Sequence, residues 1–124
     1  MGQSRRVVWI CMVAIIPLMA AMPLGAMDFD SDWRFSKGDF ATAMMPALDD
    51  SGWRTVNLPH DWSVEGPFGA EYASGSGYAP GGIGWYRRHF KLDAANRGKL
   101  VVIGFDGVYH NSEVWINGHF VGRR

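Results

Sequence analysis

Beyond residue 28 the hydrophobic and polar positions alternate in short runs, and no stretch repeats at the three-to-four spacing of an amphipathic helix. Arg54 to Leu58 alternates polar with apolar through Thr55, Val56, Asn57 and Leu58, and Pro59 stops it, which predicts a short strand. Ile83 to Leu92 alternates again. Tyr86, Phe90 and Leu92 fall on one side, and Arg87, His89 and Lys91 fall on the other with Trp85, the pattern of a strand with one buried face. Leu100-Val101-Val102-Ile103-Gly104-Phe105 is apolar on both faces and is expected at the centre of a sheet.

The last run predicts a hairpin. Asn117-Gly118 stands between Val114-Trp115-Ile116 and His119-Phe120-Val121, and a type I′ turn needs two residues at positive φ, which Asn-Gly supplies. A two-residue turn pairs Ile116 with His119, Trp115 with Phe120, and Val114 with Val121. Asp49-Asp50-Ser51-Gly52 and Asn96-Arg97-Gly98-Lys99 read as turns. From Asp28 to Asp50 the aromatics Phe29, Trp33, Phe35 and Phe40 are scattered, and no element is assigned there. Ser63 to Gly84 is long and rich in Gly, Pro and Ser, so it reads as a loop, and loops of that length in a compact domain are usually functional or mobile. There is no internal repeat, and the chain is expected to be all-β.

Residues 1–26 carry a different pattern. Arg5 and Arg6 precede an apolar run of 18 residues from Val7 to Leu24, broken by Pro17 and Pro23, with Gly25-Ala26 behind it. That is the layout of a signal peptide, so the expectation is an exported protein, periplasmic or secreted, with a folded domain at 27–124. An uncleaved anchor stays open as the second reading, because the run sits at the short edge of a membrane span. Leu24 is bulky where a signal peptidase prefers a small residue.

Composition sharpens this picture in three ways. The chain of 124 residues has 12 basic and 12 acidic residues, so there is no basic excess of the kind a nucleic-acid binder needs. The single cysteine, Cys11, lies in the leader, which leaves the mature domain without disulfides or thiol chemistry. Aromatics at 14%, with 6 Trp and 16 Gly, fit a turn-rich β domain or a sugar-binding one.

Candidate chemistry is sparse. His60, His89, His110 and His119 lack ligand spacing and have no Cys to join, so they read as structural, and neither a metal nor a cofactor is expected. In the loop, Gly75 and Gly77 begin a dinucleotide-type pattern, but Pro80 replaces the third glycine and no helix follows. Asp61, Glu65, Glu71, Asp106 and Glu113 are carboxylates of the right type for glycoside hydrolysis, which needs two held about 5–10 Å apart, yet nothing in their spacing makes a pair. No catalytic residue is assigned. The aromatics offer more: Tyr72 and Tyr78, with Trp62 and Phe68 nearby, form a candidate platform for a sugar ring, whose C–H face stacks on aromatic carbon. The alternative, that these rings cover one end of a sandwich, stands on equal footing.

Four motifs then appear in order: Leu58-Pro59-His60-Asp61-Trp62, Gly84-Trp85-Tyr86-Arg87-Arg88, Phe105-Asp106-Gly107-Val108, and Val114-Trp115-Ile116-Asn117-Gly118 with Val121-Gly122. Together they resemble the N-terminal sugar-binding domain of glycoside hydrolase family 2. The run from Pro59 to Phe68 is similar to bacterial β-galactosidases. The resemblance covers about Trp33 to Gly122 and implies a jelly-roll β-sandwich of the galactose-binding-domain type. In that family the domain lies beside an immunoglobulin-like sandwich and a (β/α)₈ barrel carrying two catalytic glutamates, and a loop of the first domain helps shape the sugar pocket. The loop before Gly84 is the matching region here, with Tyr78 and its neighbours as the candidates.

Neither catalytic glutamate has a counterpart in these residues, and the later jelly-roll strands are not among them. The sandwich is therefore expected to be C-terminally incomplete. The expected function is that of the N-terminal fragment of an exported β-galactosidase-like hydrolase, which hydrolyses nothing alone. Its expected partners are a β-galactoside or related glycan and the missing catalytic domains of the parent enzyme. A stand-alone carbohydrate-binding module is the alternative.

Overall fold

The structure is a computed structural model and describes residues 27–109 and 111–124. The proposed signal segment lies outside the described residues, as does His110. Among the described residues five strands form: β1 (Trp33–Lys37), β2 (Arg54–Val56), β3 (Gly84–Arg87), β4 (Glu113–Ile116) and β5 (His119–Arg123). All pairings are antiparallel, in a three-stranded sheet ordered β2-β1-β3 and a two-stranded β4-β5 ribbon. Among the described residues the only helical pieces are short 3₁₀ turns at Trp62–Glu65, Ser74–Ser76 and Ala94–Asn96. The chain is an all-β domain of the β-sandwich class.

The central strand is the one that sequence pattern did not assign. Trp33 and Phe35 alternate with Arg34 and Ser36, so one face of β1 is buried, while the short length of the run and the out-of-step Phe40 beyond it blur the period of two. Phe35 stands opposite Tyr86 on β3 and opposite Arg54 on β2, and Trp33 stands opposite Val56. Trp33, Phe35 and Val56 are the buried cluster, and Phe29, Leu58, Trp62 and Tyr86 pack around it. The Phe35 ring lies 4.8 Å from the Tyr86 ring, and Phe29 meets Trp33 edge-on at 5.5 Å. The Trp33 indole donates to the Phe29 carbonyl at 2.7 Å, so its one polar atom is satisfied within the core.

Part of the opposite face of this sheet is also covered. Arg87 was expected to face outwards on β3, yet its side chain is 11% exposed. The segment between β1 and β2 folds back over it: Arg87 donates through Nε to Asp50 at 2.8 Å, and through a terminal nitrogen to the carbonyls of Ala43 and Met45. Asp49 caps the turn that follows by accepting from Ser51, and Trp53 donates to the Asp50 carbonyl, so the expected turn at 49–52 is present. On this side of β3 one cation clamped by carbonyls and a carboxylate stands in place of a second apolar layer.

Three further expectations are corrected. The strand predicted over Ile83 to Leu92 is regular only from Gly84 to Arg87, because β1 offers partners only from Arg34 to Lys37. Leu100 to Phe105 is not a central strand: no ladder partner meets it among the described residues, and Leu100 and Val102 are 90% and 77% exposed. A segment apolar on both faces needs strands on both edges and a layer on each side, and this one has neither. In the hairpin, Asn117 (φ 51°) and Gly118 (φ 80°) make the expected turn and pair Ile116 with His119 and Trp115 with Phe120, but Val114 stands opposite Gly122. A bulge places Val121 and Gly122 together across from Val114, which turns Val121 to the same side as Val114 and Ile116.

Candidate functional site

The long loop between β2 and β3 is less open than its composition suggests. The Asp61 carboxylate accepts from the Ser63 amide at 2.9 Å and the Ser63 hydroxyl at 2.6 Å, which starts the 3₁₀ turn at Trp62. Those two bonds hold the Asp61 carboxyl below its ordinary range. Trp62 then turns inwards onto the core. Gly84 passes so close to its indole that a Cβ there would stand 2.7 Å from Nε1, and the Lys37 ammonium sits 4.3 Å over the ring.

Further along, the loop folds on itself. The Gly69 amide donates to the Tyr78 carbonyl at 3.1 Å, the Tyr78 amide donates to the Ala73 carbonyl at 3.2 Å, and Tyr72 donates to the Gly69 carbonyl at 3.0 Å. Ser76 braces the bend by donating its hydroxyl to the Ala73 and Ala79 carbonyls, and Ala79 is buried. Tyr78 itself is left-handed, with φ 61°, next to Gly77 at φ 66°. A tyrosine in that region is costly unless its surroundings fix it, and the three backbone bonds do so. The result is an open cleft of about 340 Å³ walled by Phe68 and Tyr78, with Gly69 and Ala70 between them. The Tyr78 side chain is 48% exposed.

The three predicted sugar-platform residues are therefore not brought together. Tyr78 lines the cleft, Tyr72 is half-buried beside the Gly69 turn, and Trp62 belongs to the core cluster. Phe68 lines the cleft with Tyr78, brought there by the backbone bond from the Gly69 amide to the Tyr78 carbonyl, between residues nine apart, that no local pattern announces. The Glu71 carboxylate packs directly over Gly69, so a side chain at 69 would require it to move aside.

The candidate carboxylates are spread among structural tasks. Asp61 caps a turn, Glu65 pairs with Arg54 at 2.7 Å, and Glu113 stands opposite Arg123 in the ribbon. His60 is held from both sides: Nδ1 lies 2.8 Å from the Tyr86 hydroxyl, and Nε2 lies 2.6 Å from an Arg54 nitrogen and 3.0 Å from Glu65. His89 meets Asp50 at 2.8 Å. The Leu58-Pro59 peptide is cis, and the His60 ring lies 5.0 Å from the Phe35 ring. Among the described residues no two free carboxylates face one another across a cleft.

Comparison with known proteins agrees with the motifs. No family model matches the chain. The chain is 52% identical over 99 residues to the β-galactosidase BoGH2A of Bacteroides ovatus, covering 78% of this chain and 12% of that protein. It is 46% identical over 99 residues to a putative β-glucuronidase of Formosa agariphila, over 78% of this chain and 10% of that protein. A solved glycosyl hydrolase family 2 member from Bacteroides cellulosilyticus superposes with a TM-score of 0.73 at 44% identity, over 77% of this chain and 13% of that one. A β-glycosidase from Bacteroides vulgatus does so with a TM-score of 0.68 at 40% identity, over 79% and 13%. The chain thus spans about an eighth of the length of the relatives it matches.

Proposed function

We propose, for a chain that belongs by its matched domain to glycoside hydrolase family 2, that it serves as the N-terminal sandwich of a β-galactosidase-like enzyme and presents a carbohydrate-contacting cleft to that enzyme's sugar site. The observation that carries the reading is the 52% identity to a β-galactosidase over 99 residues that make up 12% of it. The chemistry of O-glycosyl hydrolysis is assigned to the remainder of such an enzyme. In this chain Asp61, one of the candidate carboxylates, caps a turn, and another, Glu65, neutralises an arginine.

The cleft between Phe68 and Tyr78 suits the assigned role. Two aromatic walls offer C–H stacking to a pyranose, Gly69 and Ala70 leave room between them, and the Glu71 carboxylate is close by to accept from sugar hydroxyls. The same identity supports a β-galactoside as the glycan. Export from the cytoplasm rests on the Arg5-Arg6 and Val7–Leu24 leader pattern.

Titrating the full chain with galactosides while following tryptophan fluorescence tests the binding role. A saturable change that Tyr78→Ala abolishes is expected; a flat titration ends the claim of autonomous sugar contact. Incubation with a chromogenic β-galactoside tests the other half. No release of chromophore is expected, and measurable turnover would move the chemistry into these residues.

A further inference from the structure

Phe68 and Tyr78 stand on two arms of one loop, so a cleft that receives a sugar ring between them depends on how far apart the arms are held. Two ties join the arms. One is the bond from the Gly69 amide to the Tyr78 carbonyl at 3.1 Å. The other is a packing contact: Gly66 lies so close to Pro80 that a Cβ at 66 would stand 2.8 Å from the Pro80 Cγ and 3.6 Å from its Cδ. Gly66 is two residues from Phe68, and Pro80 is two residues from Tyr78.

Gly66 is required there for its size. Its backbone is extended, with φ −87° and ψ 169°, a conformation open to any residue, so no left-handed turn calls for glycine. What excludes a side chain is Pro80, which is buried and whose ring is closed onto its own backbone. A methyl group at 66 is therefore accommodated only by moving main chain. Gly81, the next residue after Pro80, is the contrast: nothing lies within 4 Å of a Cβ there, and its φ is outside the left-handed region. Both arms are anchored beside the contact. Glu65 is held by Arg54 of β2 through both carboxylate oxygens, at 2.8 and 2.7 Å. On the other arm Ala79 is buried, and a Cβ at Gly82 would stand 3.8 Å from the core-packed Trp62. Displacement at the contact is thus passed outwards, to Phe68 and Tyr78.

We propose that the contact of Gly66 with Pro80 is the gauge of the sugar cleft: a glycine at 66 lets the arms close to the spacing at which Phe68 and Tyr78 both meet one pyranose ring. Gly66 and Pro80 are then positioning residues for binding, acting through the two aromatic walls. This rests on the sugar-contacting reading of the cleft. A larger residue at 66 pries the walls apart, and the sugar keeps one stacking face instead of two.

Galactoside titration of the full chain, run beside hydrogen exchange at the Gly69 amide, tests the gauge. Gly66→Ala is expected to weaken binding about fivefold, the size of one lost aromatic face. It is also expected to speed exchange at Gly69, because separated arms lengthen the bond to Tyr78. Gly81→Ala is expected to change neither. Pro80→Ala removes Cγ and Cδ, and in that background Gly66→Ala is expected to add nothing, a coupling that general loss of stability does not produce. If Gly66→Ala fails to fold, Pro80→Ala alone carries the expectation of faster Gly69 exchange from the opposite arm. A flat wild-type titration ends the sugar reading alone, and the Gly69 amide then decides the gauge. Unchanged Gly69 exchange, equal losses in Gly66→Ala and Gly81→Ala, or a Gly66→Ala effect undiminished without the Pro80 ring would each overturn the proposal.

Discussion

The β2-β1-β3 sheet and the β4-β5 ribbon hold similar lengths of paired strand in very different surroundings. In the sheet, Trp33, Phe35 and Val56 are buried beneath a shell of aromatics, and the far face is closed by Arg87 and Asp50. In the ribbon, Trp115 and Phe120 meet edge-on at 5.1 Å, but Ile116, Phe120 and Val121 are all exposed. Beside it lies an open apolar cleft of about 420 Å³ lined by Phe90, Leu92, Val101, Ile103, Phe105 and the ribbon's Val114, Ile116 and Val121. Backbone pairing alone does not make a stable layer, since a two-stranded hairpin in water is marginal without a packed face. The sheet is a closed unit, and the ribbon is half of one.

The sharpest way to break this contrast is a truncation at the centre of each region. Phe35→Ala is expected to cost about 3–5 kcal/mol and to melt the three-stranded sheet. Phe120→Ala, at a largely exposed ring, is expected to cost under about 1 kcal/mol. Urea denaturation followed by near-ultraviolet dichroism compares the two, and equal losses would show that the ribbon is packed after all.

Asp50→Asn tests the clamp on the sheet's far face and is expected to cost about 3 kcal/mol near neutrality, by leaving Arg87 covered without its counter-charge. Burial pushes the Asp50 carboxyl up, but the bonds from His89 and Arg87 outweigh it and the group ends below 3.8. A depressed carboxylate contributes stability that is present above pH 3.8 and is lost as pH falls through its lower, folded value. Wild-type stability is therefore expected to drop below about pH 4, and the drop is expected to be smaller in Asp50→Asn. Denaturant midpoints measured across acid pH read both slopes.

The smallest effect belongs to the apolar run beside the ribbon. Leu100→Ser removes a large hydrophobe that touches little and is expected to change stability by less than about 0.5 kcal/mol. A loss above about 2 kcal/mol in the thermal midpoint series would mean that this run is covered in solution.

Legibility from sequence followed the range of the interactions involved. The hairpin turn was legible because Asn117 and Gly118 are adjacent and their backbone preference is local. Its register beyond Trp115 was not, because the bulge at Val121 depends on how the two strands settle against each other. Central strand β1 is not legible because Trp33 and Phe35 give only one repeat of the alternation and Phe40 falls out of step with them, and only pairing with strands some 20 and 50 residues away brings that alternation out. Tyr78 was a fair candidate from exposure and loop context. Trp62 was not separable from it, since inward and outward aromatics in a loop have the same composition.

By itself the sequence determined the all-β class, the turn positions, and a set of ordered motifs specific enough to identify the domain. These depend on local backbone preference and on residues kept together in short runs. Tertiary structure alone decided which aromatics are core and which wall a cleft, that Arg87 lies inside, and that His60 stands between Arg54, Glu65 and Tyr86. Those outcomes arise from contacts between residues far apart in the chain, which form only when the strands meet.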